Sequence, residues 1–185
     1  MCGIAGIMTV SGSPPNEATL QALTRALAHR GPDGEGRTIS GSVGLVQTRL
    51  AIIDLETGDQ PLYAPLKGGD PETGDGKGNQ KRAALVANGE IYNYVELKLD
   101  MGRVDFKTKS DCEPPLHLYL RHGLDFARHL RGMYALAVHD PAEDCLVLAR
   151  DPFGIKPLYY AETSPGSFLP PSRRRFSRPV AWSRP

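Results

Sequence analysis

The 185-residue sequence predicts an α+β fold. Three observations carry that expectation. Strand-like stretches outnumber helical ones and do not alternate with them strictly, which argues against a parallel α/β sheet. Two apolar stretches, Met133–His139 and Cys145–Arg150, flank Asp140-Pro141-Ala142-Glu143-Asp144 and read as an antiparallel hairpin. The segment Glu17–Ala28 places Leu20, Leu23 and Leu27 on one face at helical spacing.

Taken in order, residues 2–10 (CGIAGIMTV) are small and β-leaning, so a strand is expected at the N-terminus, followed by a turn over Ser11–Asn16. After the Glu17–Ala28 helix, His29-Arg30-Gly31-Pro32-Asp33-Gly34 has the chemistry of a turn. Val43–Arg49 and Leu50–Leu55 read as two strands near the core, and the Gly- and charge-rich residues 65–82 as a mobile surface loop. Ala83–Ala87 reads as a buried strand ending in a turn at Asn88-Gly89-Glu90. A short helix is expected over Tyr94–Leu99. Ser110 and Glu113 have capping-box spacing, predicting a helix to about Arg121 with Pro114 and Pro115 in its first turn. Leu158–Ala161 reads as a last short strand. No repeat, heptad or second-domain boundary is visible.

Composition narrows the function classes. Hydrophobic content of 40% and charged content of 23% are ordinary for a globular protein. The net charge of +1 supplies no field to steer nucleic acid or an anionic membrane. It hides an asymmetry: residues 166–185 hold five Arg and no acid, so of 22 basic residues 17 remain against 21 acidic ones before that stretch, a net of −4. Three scattered cysteines make neither a disulfide framework nor a zinc site, and the five His show no ligand spacing, so no metal is expected. Without a membrane span or a signal-peptide pattern, the expected compartment is the cytoplasm, with reduced thiols.

Cys2 is the first candidate for chemistry. Removal of Met1 would leave a thiol and a free α-amine on one residue. That amine has a reference pKa of about 7.7–8.0, near the best value for a general base at neutral pH, and it can activate a neighbouring nucleophile. The plain alternative is a small apolar residue at the start of a buried strand. Gly3 and Gly6 allow close packing around it. Acyl transfer also needs donors for an oxyanion; Asn88-Gly89 offers a side-chain amide and an unobstructed N–H, or is simply a turn. A free amino acid needs a cation for its carboxylate and an anion for its ammonium. Arg49, with its planar fork, suits the first; Asp111 and Glu90 suit the second. Their alternatives are a surface ion pair for Arg49, a helix-dipole partner for Asp111 and a solvated side chain for Glu90. His29 and Arg30 read as loop-shaping, and Cys112 and Cys145 as inert thiols.

The segments MCGIAGI (1–7), HRGPDG (29–34), RLAIIDL (49–55), GDQPL (58–62), NGEIYN (88–93), SDCE (110–113) and RDPFGIKPLYY (150–160) occur in one order. Together they resemble the N-terminal glutaminase domain of glutamine-hydrolysing asparagine synthetases, which are class II glutamine amidotransferases of the N-terminal-nucleophile type. The resemblance implies a four-layer αββα sandwich of two antiparallel sheets. It implies that Cys2 attacks the glutamine amide to form a thioester, which water hydrolyses to glutamate and ammonia. Asn88 and Gly89 would form the oxyanion hole and Arg49 would hold the substrate carboxylate. Glu90 and Asp111 would address the ammonium, with backbone groups of Leu50, Ile52 and Ile53 lining the pocket beside Asn88. No cofactor is implied for this half-reaction; ATP and Mg would belong to a synthetase domain that receives the ammonia.

That second domain's SGGxDS loop and a GxxxxGK[ST] phosphate loop are both absent from these residues. The expected division is a glutaminase domain over residues 2–163 and a basic Pro/Arg-rich tail over 164–185, either a disordered product of a frameshift or truncation without selected function or a segment for an anionic partner. Two other functions remain open on the sequence: a non-catalytic glutamine-binding or regulatory module on the same fold, and an amidohydrolase for another amide, which the Arg49 and Asp111 pair disfavours.

Overall fold

The computed structural model describes residues 1–66 and 82–161, together with the backbone of 180–183. Its strands form two antiparallel sheets. The smaller has the order β1-β3-β2, with β1 at Gly3–Met8, β2 at Gly34–Ser40 and β3 at Val43–Arg49. The larger has the order β4-β5-β6-β7-β8, formed by Leu62–Pro65, Arg82–Ile91, Gly132–Asp140, Cys145–Arg150 and Val180–Ser183. Three helices cover them: α1 (Glu17–Leu27), α2 (Tyr94–Met101) and α3 (Pro114–His122).

Period-two alternation explains the layering. On β3, Val43 and Leu45 face Val86 of β5, Ala137 of β6 and Leu146 of β7, and these side chains fill the space between the sheets. The alternate residues of the larger sheet, among them Leu85, Tyr134, Leu136 and Val147, pack with Leu97, Leu116 and Phe126 of the α2–α3 side. On the outer face of the smaller sheet, α1 is capped by Asn16, whose side chain accepts from the Ala18 N–H at 2.8 Å. Leu20 of that helix is fully buried, and Thr48 donates to the Leu27 carbonyl at 3.0 Å. The result is helix, sheet, sheet, helix: the α+β, four-layer αββα sandwich expected.

Several elements differ from expectation for identifiable reasons. Leu50–Leu55 is not a strand. The chain turns away from the sheet with Asp54 at a φ of 55°, a conformation that Asp tolerates better than most residues. The Asp54 carboxylate then accepts from Thr57 N at 3.0 Å and Lys109 N at 2.8 Å. Asn88-Gly89-Glu90 is not a turn either; it continues β5, opposite Ala135, Tyr134 and Met133 of β6. Glycine is required at 89 by that neighbour rather than by a turn, since a Cβ there would meet the Met133 carbonyl at 2.5 Å and Tyr134 Cα at 2.7 Å.

The capping box does not form. Ser110 Oγ accepts from Cys112 N at 3.1 Å, Glu113 is the N-cap of α3, and the two prolines occupy its first positions. Leu158–Ala161 forms no regular strand, with Tyr160 alone in a bridge. Neither β2 nor β4 was expected: GEGRTIS is a half-exposed edge with little apolar patterning, and LYAP is only four residues long. Val180–Ser183, expected in the tail, pairs with β7 from Cys145 to Leu148 and forms an edge of the larger sheet. Residues 67–81 of the expected loop, and 162–179 and 184–185 of the chain's end, lie outside the described residues.

Candidate active site

One cleft lies where β1 and β3 meet β5, and all nine residues singled out by the sequence line it. They come from four separate segments. Cys2 precedes β1. Arg49 ends β3, and Leu50, Ile52 and Ile53 follow in the turn. Asn88, Gly89 and Glu90 lie on β5. Asp111 sits between α2 and α3.

Register explains much of the convergence. Gly3 pairs with Thr48, which sets Cys2 beside Arg49 at the end of the β1–β3 ladder. The Cys2 thiol lies 3.4 Å from the Leu50 N–H and 3.6 Å from the Leu50 carbonyl. Arg30, read from sequence as loop-shaping, donates through Nε to the Cys2 carbonyl at 3.2 Å. Gly31 permits this arrangement, because a Cβ there would meet Arg49 N and the Thr48 carbonyl carbon, each at 2.4 Å. The 31–33 turn is closed from β3, with Asp33 N donating to the Arg49 carbonyl at 2.9 Å.

Arg49 is buried, 7% exposed. Nη1 donates to Asp59 at 2.7 Å, while Nη2 donates to the Asp54 carbonyl and, at 3.4 Å, to that of Ile53. It is therefore more than a surface ion pair: its guanidinium is the hub around which the 50–55 turn is wound. Asn88 is also buried and lines the cleft. Asp111 is 5% exposed and accepts from Ile91 N at 2.8 Å. Burial pushes its carboxyl above the usual range, against the pull of that backbone hydrogen bond. Cys112, beneath it, is a fully buried thiol pushed well above its ordinary value by the same cause. Glu90 is half-buried at the cleft rim.

Other lining residues were not singled out by sequence. Gln60 accepts from Ala87 N at 2.6 Å and ties the GDQPL turn to β5. Gln47 lies two residues before Arg49 on the same face of β3, so strand alternation was the available signal. Its Nε2 is buried without a partner in the protein. Lys156 and Met1 also line the cleft, and no local pattern marks either.

The fold and the cleft define a class first: a four-layer αββα sandwich with a thiol near its N-terminus on the cleft. A solved glutamine phosphoribosylpyrophosphate amidotransferase from Bacillus subtilis shares this fold with a TM-score of 0.61 at 21% identity, over 82% of this chain and 38% of that one. The family follows from the sequence: residues 1–176 match the glutamine amidotransferase domain model, and the chain belongs to that family. It is similar to asparagine synthetase [glutamine-hydrolyzing] 2 of Bacillus subtilis, at 39% identity over 88% of this chain and 20% of the relative. The corresponding enzyme of Asparagus officinalis is 40% identical over 86% of this chain and 25% of its own length. Asparagine synthetase [glutamine-hydrolyzing] 1 of Saccharomyces cerevisiae is 36% identical over 89% and 26%. The chain thus spans about a quarter or less of these relatives. Among the described residues no helix is long and apolar enough to cross a membrane.

Proposed function

We propose that this domain hydrolyses glutamine to glutamate and ammonia through a thioester on Cys2, exposed by removal of Met1. The free α-amine takes the thiol proton as Sγ attacks the side-chain carbonyl carbon. The negative charge on the carbonyl oxygen is received by the Asn88 amide and the Gly89 N–H. Collapse breaks the C–N bond, the ammonium returns its proton to the departing nitrogen, and ammonia leaves. Water, deprotonated by the same amine, then attacks the thioester and releases glutamate. Arg49 holds the α-carboxylate, Asp111 and Glu90 the α-ammonium, and backbone groups of Leu50, Ile52 and Ile53 the stem between them.

The observation that supports this most is the convergence of a thiol, a buried guanidinium, a carboxamide and a buried carboxylate from four distant segments on one cleft. The reaction needs no cofactor. The ammonia acceptor we assign to an asparagine-forming synthetase domain or subunit, with its ATP and magnesium, and the compartment to the cytosol, where three unpaired thiols stay reduced.

The test compares glutamine hydrolysis by the wild type and Cys2→Ala, with N-terminal mass showing that Met1 is gone. Turnover that disappears in Cys2→Ala is expected. Equal rates in the two would refute the nucleophile, and glutamine binding without turnover in processed wild type would favour the non-catalytic module.

A further inference from the structure

One cation in the cleft has no part in the chemistry above. Lys156 is 6% exposed, and the loop that presents it is built by two charged side chains. Asp151 accepts from the backbone N–H of Ile155 at 2.9 Å, Lys156 at 3.0 Å and Tyr134 at 3.3 Å. Arg150 donates to the Lys156 carbonyl at 2.7 Å and also to that of Gly154. Both peptide groups of Lys156 are thereby fixed, and its side chain enters the cleft.

A buried ammonium calls for an anion or a shell of acceptors. Among the described residues Lys156 forms no salt bridge, and its Nζ meets the Met1 thioether sulfur at 3.0 Å, a weak acceptor. In the glutaminase reading, on which this inference rests, Met1 is removed. The thioether goes with it, and hydrolysis of the Met1–Cys2 peptide bond leaves the Cys2 nitrogen as the free amine. We propose that Lys156 is a positioning residue for the glutaminase reaction, its ammonium standing beside the mature Cys2 amine and holding that amine in its neutral, proton-accepting form.

The physical basis is repulsion between like charges. A fixed cation disfavours the ammonium form of its neighbour and favours the thiolate that the amine generates. Among the described residues, the other charged or titratable groups that line the cleft or bond to Cys2 are its own thiol, Arg30 at its carbonyl, Arg49 on β3, Glu90 on β5, and Asp111 with Cys112 before α3. The two carboxylates pull the amine the opposite way, but they do so equally in the wild type and in the Lys156 variants, so the comparison between them reads the lysine alone. Arg30 is tied to the carbonyl and Arg49 to Asp59 and the 53–54 turn. Lys156 is the cation here that lacks a protein acceptor stronger than a thioether.

The experiment uses processed wild type, Lys156→Met and Lys156→Arg, with Lys156→Gln in reserve should the first fail to fold. Two quantities are read: the pH dependence of kcat/KM for glutamine, and the titration of the Cys2 amine by NMR on protein labelled with ¹⁵N-cysteine. In Lys156→Met the acid limb and the amine titration should both move up by about one pH unit, and Lys156→Arg should restore them. A slower enzyme whose limb and titration stay in place would overturn the inference and leave Lys156 a purely structural role. Processed wild type that does not turn over glutamine would overturn the glutaminase reading instead, while the amine titration still decides for or against the effect of Lys156.

Discussion

Replacing Glu113 by Gln should remove stability in a pH-dependent way, by an amount the structure sets. Glu113 is almost fully buried at the start of α3. Its Oε1 accepts from Lys107 N at 2.8 Å, and its Oε2 accepts from Thr108 N at 2.7 Å and the Thr108 hydroxyl at 2.6 Å. His117 lies 3.5 Å away. Burial alone would raise its pKa, but the nearby His117 and the hydrogen bonds from Thr108 and Lys107 outweigh it and lower the value from 4.5 to about 2. A folded-state pKa below the unfolded one contributes stability that is present in full above about pH 4.5 and is lost as pH falls towards 2. At about 1.4 kcal/mol per pH unit this corresponds to at most about 3.5 kcal/mol, and screening by water around the 105–109 segment discounts it to about 2 kcal/mol. Gln keeps the shape but sets an NH₂ against one of the two backbone donors. Urea unfolding of the wild type and Glu113→Gln should differ by about 2 kcal/mol at pH 7, and by less than half of that at pH 3. A gap that stays constant across that range would refute the assignment of this carboxylate as a charged anchor for the 107–108 segment, which leads directly to Asp111.

The remaining predictions concern the cleft. Arg49→Lys trades a fork that grips Asp59 and two carbonyls for a single point charge, so KM for glutamine should rise about tenfold or more with kcat much less affected; steady-state kinetics decide, and an unchanged KM counts against the carboxylate role. Gly89→Ala forces a Cβ against the backbone of Met133 and Tyr134, which cannot swing aside as a side chain would. A loss of about 1–3 kcal/mol in thermal or chemical unfolding is expected, together with a fall in kcat of about a hundredfold as the proposed oxyanion donor moves.

The parts legible in the sequence were those whose signal is local. Helix α1 has its Leu spacing, and the β6–β7 hairpin has two apolar runs around a polar turn. The parts that were not legible depend on partners distant in the chain. Asn88-Gly89 is a turn signal only where the chain reverses; with β6 offering a full ladder, the same dipeptide runs straight on as strand. Leu50–Leu55 has the apolar content of a strand, yet its course follows the guanidinium of Arg49 and the carboxylate of Asp54, which no periodicity records. Ser110 and Glu113 have capping-box spacing, but Glu113 reaches back to 107–108 and Pro114 starts the helix in its place. Within the cleft, residue types singled out Cys2, Arg49, Asn88 and Asp111, and all four line it. Gln47 required knowledge of which face of β3 looks inward, and Lys156 required the loop that Asp151 and Arg150 build.

Arg49 shows why the sequence could single out a residue that lines the cleft and still misread the structure around it. It holds two kinds of partner at once. The carbonyls of Ile53 and Asp54 draw the chain around the guanidinium and so create the wall of the cleft. The third partner, Asp59, has a side chain 81% exposed, whereas that of Arg49 is 8% exposed. An ion pair with one member in water contributes little, about 0–1 kcal/mol, so the substrate carboxylate of the proposed reaction would displace or share it at small cost. The carbonyl contacts are shielded and fix the plane of the fork. The arginine thus arrives oriented by groups it keeps and neutralised by one it can release. A lysine, with no plane to fix, would lose the wall and the orientation together.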